Sequence, residues 1–310
     1  MFRASIFEFR VLPKFMPSTK DLRRRIKSVR STRQITKAME LVAAAKMRKA
    51  QLQAVATRAH TSLVREMIRN LRGRADFRIH RLLRKPQTVR SVGVILLTSN
   101  RGLIGGFNNN LVGAALNYVK SEQGKGFEFI TIGRKGAMTV RQRGFTLAAE
   151  FEKKDIAAGP AEILPLSRLV TDDFVNGRYD RVVLVYMEFL STLRQEPRVL
   201  ELLPLSQRLE QAALWEEEPL TLPTTDFLFE PSADLVLEKL LPRVVEMNLY
   251  QALLETNAAE HSARMVAMKN ASDAAQDLIR ELTLDYNQIR QAGITKEISE
   301  IVAGQLAINH

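Results

Sequence analysis

A chain of 310 residues, 45% hydrophobic and 26% charged, can bury one sizeable core and still carry an elongated element. It has no cysteine, which excludes disulfides, thiolate zinc sites and cysteine nucleophiles. It has no run of 18 apolar residues, so no helix is long and apolar enough to span a bilayer. The net charge of +12 is unevenly spread, with 24 Lys and Arg against 5 Asp and Glu in residues 1–90 and 22 against 29 in the remainder. A basic arm on a mildly acidic body points to an acidic partner, nucleic acid among the candidates.

Met1–Phe15 (MFRASIFEFRVLPKF) is basic and aromatic. It lacks the continuous apolar stretch of a secretory signal, and Glu8 argues against a transit peptide. The expected reading is an extension ahead of a natural start at Met16.

From Ser18 to Arg72 there is no Gly, Pro or aromatic residue. A gap of that length in the helix breakers predicts one long helix, a rod of roughly 80 Å at 1.5 Å per residue. Ser18 with Asp21 makes a capping-box-like entry. Leu22, Ile26 and Val29 share a face, and Ile35, Met39 and Val42 resume the spacing after a polar interval. Ala38 and Ala43–Ala45 keep the middle slim. The other face carries Arg23, Arg24, Arg25, Lys27, Arg30, Arg33, Lys37, Lys46, Arg48 and Lys49, offset by Asp21, Glu40 and Glu66 alone. No aromatic residue offers base stacking. The stripe does not hold a single register, which argues against the zipper that normally accompanies a basic DNA-reading helix.

Residues 91–230 read as α/β. Ser91–Ser99 (SVGVILLTS) has the unbroken apolar character of a strand buried on both faces. Glu128–Gly133 and Arg181–Phe189 are further strands, with helical patterns near Asn109–Ser121 and Ala161–Asn176 between them. Such alternation predicts a parallel, doubly-wound sheet. Arg194–Phe229, acidic and proline-dotted, reads as a strand followed by a long connection. The loop Asn100–Asn110 (NRGLIGGFNNN) has glycines at Gly102, Gly105 and Gly106 but neither G-x-G-x-x-G nor a P-loop lysine. It reads as a tight structural turn. His60, His80, His261 and His310 are isolated and form no metal spacing. No catalytic residue, cofactor site or metal site is expected.

A second rod is expected from near Ser232, with Pro242 either kinking it or opening a fresh first turn. From Arg243 to Ala292 there is no Gly or Pro, which gives roughly 75 Å of helix. Its apolar stripe is Leu249, Leu253, Val266, Ala271, Ala275, Leu278, Leu282 and Ile289. Alanines fill its centre, as two closely paired antiparallel helices require. Its end is apolar (Ile301, Val302, Leu306, Ile308), which suggests a partner socket.

Two of these runs carry a resemblance. Pro17–Gln51 (PSTKDLRRRIKSVRSTRQITKAMELVAAAKMRKAQ) resembles the N-terminus of the gamma subunits of F-type ATP synthases. Glu260–Gly304 (EHSARMVAMKNASDAAQDLIRELTLDYNQIRQAGITKEISEIVAG) resembles their C-terminus. SNRGLIGGFNNN is similar to the family's central loop. The two ends cover about a quarter of the chain; the middle matches in pattern more than in letters.

The resemblance implies a long antiparallel coiled coil of the N- and C-terminal helices plus a central doubly-wound-like α/β domain. The expected division is an extension (1–17), an N-terminal coiled-coil helix (18–85), the α/β domain (86–230) and a C-terminal coiled-coil helix (231–310). It further implies the central rotor shaft of a proton-translocating ATP synthase, without catalysis of its own. The shaft would turn inside a ring of three alpha and three beta subunits, and the α/β domain would lie beside the epsilon subunit and the c-subunit ring. The complex would be peripheral on the cytoplasmic face of a bacterial inner membrane.

By matching letters, ITKAME places Lys37, Met39 and Glu40 at a beta-subunit loop. Arg264 in ARMVAMKN, with Gln291 and Thr295 in RQAGIT, matches the contacts to the same region. Asn100, Arg101, Gly105 and Gly106 form a loop with an expected subunit contact. Two departures stand in it: Asn100 where the family usually has Asp, and Ile104 where Cys is common. Gly293 replaces a small helix former and should soften the last turns. From the residues alone, the alternative is a coiled-coil nucleic-acid-binding or scaffold protein with an α/β head. The resemblance favours no nucleic-acid partner.

Overall fold

In a computed structural model, the described residues are 18–71, 80–156, 159–206 and 229–308. Met1–Phe15, most of the acidic connection (207–228) and His310 lie outside them. The contacts divide the chain into two compact units, Met39–Ala267 and Met1–Ala38 with Met268–His310.

Helix α1 (Thr19–Leu71) opens as the sequence indicates. The Asp21 backbone N–H donates to Ser18 Oγ at 3.2 Å, Ser18 Oγ donates to Asp21 Oδ2 at 2.9 Å, and Arg24 pairs with the same carboxylate. Its register departs from the expectation. The buried residues Leu22, Ile26, Thr36, Ala43, Met47, Ala50, Ala54, Ile68 and Leu71 all fall on one alternation of four- and three-residue steps. The buried positions therefore keep a heptad spacing, with Val29 and Glu40 half-buried and Arg33 exposed at intervening steps. Ile35 and Val42, expected on the buried face, are exposed. This spacing escapes a search for apolar letters because Arg33, Thr36, Glu40 and alanines occupy its middle, while the branched residues stand one position off.

The sheet is formed by β1 (Ser91–Leu97), β2 (Gly126–Ile132), β3 (Thr146–Phe151), β4 (Arg181–Phe189) and β5 (Gln195–Leu203), in the order β3-β2-β1-β4-β5. The first four strands are parallel and β5 is an antiparallel edge, so the expected parallel sheet is a mixed one. Helices α2 (Phe107–Ser121), α3 (Arg134–Gln142) and α4 (Leu164–Val175) connect the parallel strands. Strand β3 and helix α3 have no counterpart in the sequence reading. Helix α3 (RKGAMTVRQ) is largely polar, and β3 has only half-buried and exposed positions.

Alternate side chains of β1 enter different cores, as period-2 geometry requires. Val92, Val94 and Leu96 meet α2 and α3 through Phe107, Leu111, Ala115 and Val140. Ile95 and Leu97 meet α4 through Leu166 and Val170, together with Leu82 and Leu83, the first half of the last helix, α5 (Ala233–Ile308), and Ala54 and Leu71 of α1.

Helix α5 (Ala233–Ile308) is continuous across Pro242 and Gly293. The Leu235 N–H donates to Ser232 Oγ at its start. From Ala252 to Ser262 only Glu255 is not buried. Beyond that, Met268, Ser272, Ala275 and Ile279 are buried at alternating steps of four and three, whereas Leu278, expected on the stripe, is exposed. The start of α1 and the end of α5 belong to one unit, the end of α1 and the start of α5 to the other.

Candidate functional site

In an open doubly-wound sheet, ligands bind in the crevice beyond the carboxyl ends of the strands, where the strand order reverses. Here that point lies at the end of β1, between β2 and β4. The chain's own helix occupies the crevice. At the end of β4, the Met187 N–H donates to Thr256 Oγ1, and Ser262 Oγ donates to the Thr192 carbonyl at 2.6 Å. Ala259 completes the apolar cluster of Val94, Leu96, Val185 and Met187.

The segment after β3 meets α5 through charged side chains. Lys153 Nζ donates to Glu260 Oε2 at 2.5 Å, with side chains 2% and 8% exposed. Arg264, one turn on, donates to Glu260 Oε1 at 2.8 Å and is itself 13% exposed. Burial alone would raise the Glu260 carboxyl, but Lys153 and Arg264 outweigh it and hold the group below the usual carboxylate range. His261 Nε2 lies 2.7 Å from the Asp155 carbonyl oxygen, so it carries the proton and donates. Arg264 then faces Nδ1, which accepts at 3.4 Å. Burial pushes the His261 imidazole below its ordinary value, which keeps it neutral. Asp155 in turn accepts from Lys46 of α1 at 2.6 Å, and that bond holds its carboxyl low.

The loop after β1 is fixed from inside. Ser99 N–H donates to Asn108 Oδ1, Ser99 Oγ donates to the Arg101 carbonyl, and Ile104 and Phe107 are buried. Ile104 therefore serves as core. Asn100 Nδ2 donates to the Lys153 carbonyl at 2.6 Å, and its Oδ1 accepts from Arg134 N–H at the start of α3. Arg101, Gly105 and Gly106 are exposed, as is Leu103, which is 66% accessible with φ 62. A non-glycine residue in the left-handed region with an apolar side chain in water is an unusual combination.

Of the residues singled out in the sequence, Lys37, Gln291 and Thr295 are exposed on their helices, and Met39 and Glu40 are half-buried. Arg264 and Asn100 belong to the buried polar knot. Lys153, Asp155, Glu260, His261 and Lys46 were missed as a group. The available signal was the Glu260–Arg264 spacing of four, an ion-pair distance on a helix, set in an alanine-rich run. Lys46, expected on the basic outer face, is half-buried against Asp155.

The family model described as ATP synthase matches residues 18–308. The "ATP synthase gamma chain" of Roseiflexus sp. (strain RS-1) is 43% identical over 296 residues, covering 94% of this chain and 99% of that one. That of Chloroflexus aurantiacus (strain ATCC 29366 / DSM 635 / J-10-fl) is 41% identical over 299 residues, with the same coverage. Among solved structures, a chain of the Euglena gracilis mitochondrial ATP synthase (OSCP/F1/c-ring, rotational state 3) superimposes with a TM-score of 0.62. It is 19% identical, with 94% of each chain covered, a likeness of fold.

Proposed function

Because the chain belongs to the family of ATP synthase gamma chains, we propose that it is the central rotor shaft of a proton-translocating ATP synthase. It couples proton flow through the membrane sector to ATP synthesis or hydrolysis in a ring of alpha and beta subunits. Its other partners are the epsilon subunit and the c-subunit ring. The observation that carries this reading is the pair of long helices, 53 and 76 residues, with alanines among their buried positions, joined to an α/β head. Slim helices suit a shaft turning in a narrow sleeve. A basic surface favours steering and orientation over tight adhesion to an acidic sleeve, as a rotor requires.

The chain contributes no bond-breaking group of its own in this reading. What supports it is the crevice at the strand ends, filled by Thr256–Ser262, with the polar groups of the β1 loop turned on one another. In this reading the complex is peripheral on the cytoplasmic face of a bacterial inner membrane, and the likeness to the Roseiflexus and Chloroflexus gamma chains supports it. No helix among the described residues is long and apolar enough to cross a membrane.

Contacts to the beta subunits are assigned to Lys37, Met39, Glu40, Gln291 and Thr295. Arg264 is assigned with them by its motif, its side chain being 13% exposed and held on Glu260. Arg101, Gly105 and Gly106, with exposed Leu103, offer a subunit contact on the head. The exposed apolar end of α5 (Ile294, Ile298, Ile301, Val302) suits an apolar bearing. Co-expression with the cognate alpha and beta subunits tests the assignment. One copy of this chain should co-elute with three of each as an active ATPase. Separate elution, with binding to nucleic acid that falls steeply with salt, would favour the alternative.

A further inference from the structure

The segment Glu152–Asp155 reaches both long helices at once. Lys153 is tied to Glu260 of α5, the Asp155 carbonyl to His261 of α5, and the Asp155 carboxylate to Lys46 of α1. Asn100 holds the Lys153 backbone from the opposite side. We propose that this segment is a torsional tie, with Lys153, Asp155, Glu260 and Lys46 as positioning residues that lock the head to the shaft and carry torque between them. The proposal rests on the rotor reading above.

Two physical arguments carry it. Around the tie, α5 presents Ala258, Ala259 and Ala263, and α1 presents Ala43 and Ala50. Contacts between small apolar surfaces are non-directional and resist sliding or twisting weakly. Charge-assisted hydrogen bonds have fixed distances and angles, so they oppose rotation of a helix about its own axis. The second argument is energetic. A buried ion pair contributes little net stability compared with apolar residues of similar volume, because both charges are desolvated. A lysine and a glutamate almost wholly out of water are therefore poorly explained by stability and well explained by geometric definition.

The test uses the assembled F1 sector with its ring immobilised. The chain has no cysteine, so Lys120→Cys on exposed α2 gives a single attachment point for a rotation marker. Angular spread is measured with the motor stalled in one nucleotide state. For Lys153→Met combined with Glu260→Gln, which keeps an amide oxygen to accept from Arg264, the expected result is at least a twofold larger angular variance, with ATP hydrolysis within twofold of wild type. Lys46→Met, which cuts the α1 side of the tie at a half-exposed position, should widen the spread by less. Val140→Ala, a core change away from the tie, serves as a control for general softening and should leave the spread unchanged.

Wild-type spread in both tie variants overturns the proposal, as does equal widening in Val140→Ala. If the wild-type chain itself fails to assemble or rotate, the rotor reading fails instead, and the two failures are told apart by that arm.

Discussion

Asn100 Nδ2 donates to the carbonyl of Lys153 at 2.6 Å, so the loop after β1 sets the backbone of the residue whose ammonium is buried on Glu260. Aspartate at this position could accept from Arg134 N–H but could not donate to that carbonyl. The amide is what this geometry needs. Asn100→Asp is expected to destabilise the protein by about 1–3 kcal/mol, the cost of a polar group deprived of its donor. Urea unfolding at neutral pH measures it, and an unchanged or raised midpoint would contradict the assignment.

Gly133 lies between β2 and α3 with φ 102, and a Cβ there would stand 2.4 Å from the Thr98 carbonyl oxygen. Gly124 also has positive φ, at 84, but a Cβ there would meet open space. Gly124→Ala should cost only backbone strain, about 1–2 kcal/mol. Gly133→Ala adds a backbone collision and should leave the head unfolded. Circular dichroism melts of the two variants, compared directly, check the ordering.

Acidification should weaken the fold, beginning at the histidines. Burial lowers both His261 and His80 from the ordinary value of 6.5, and Glu238 offsets this in part at His80. The unfolded chain therefore binds more protons than the folded one just below pH 6.5. Their contribution to stability is complete above that pH and is lost as pH falls toward the folded values. Glu260 and Asp155, held low by their cationic partners, add a second loss in the carboxylate range. His261→Gln can donate to Asp155 O and accept from Arg264, so it should flatten the slope of stability just below pH 6.5 without abolishing it. An identical slope would mean that His261 does not titrate on unfolding.

Converting half-buried Met39 to Lys or to Glu should weaken coupling and leave assembly intact. The readout is ATP-driven proton uptake by membrane vesicles, normalised to ATP hydrolysed. A wild-type ratio in both variants would remove Met39 from the rotor contact.

Much of this fold is legible in the sequence where local chemistry decides the outcome. The Ser18 cap, the apolar run of β1, and two long stretches without helix breakers all translate directly into structure. The buried face of α1 is hard to read because its middle is Thr36 and alanines, so burial there follows spacing rather than hydrophobicity. Strand β3 is short and alanine-bearing, and its pairing with β2 is non-local. The polar knot was invisible for the same reason: Lys153 and Glu260 are 107 residues apart, and only the folded sheet brings them together. Arg264 was recognised by its motif, while its partner Glu260 required coordinates.

Rotation within the ring is tested most directly by locking it. In a chain free of cysteine, Met39→Cys can be joined by a disulfide to a cysteine placed in the facing beta-subunit loop. The account predicts that oxidation stops ATP hydrolysis by the complex and that a reductant restores it. Full turnover with the cross-link complete would contradict the claim that this chain is the turning shaft.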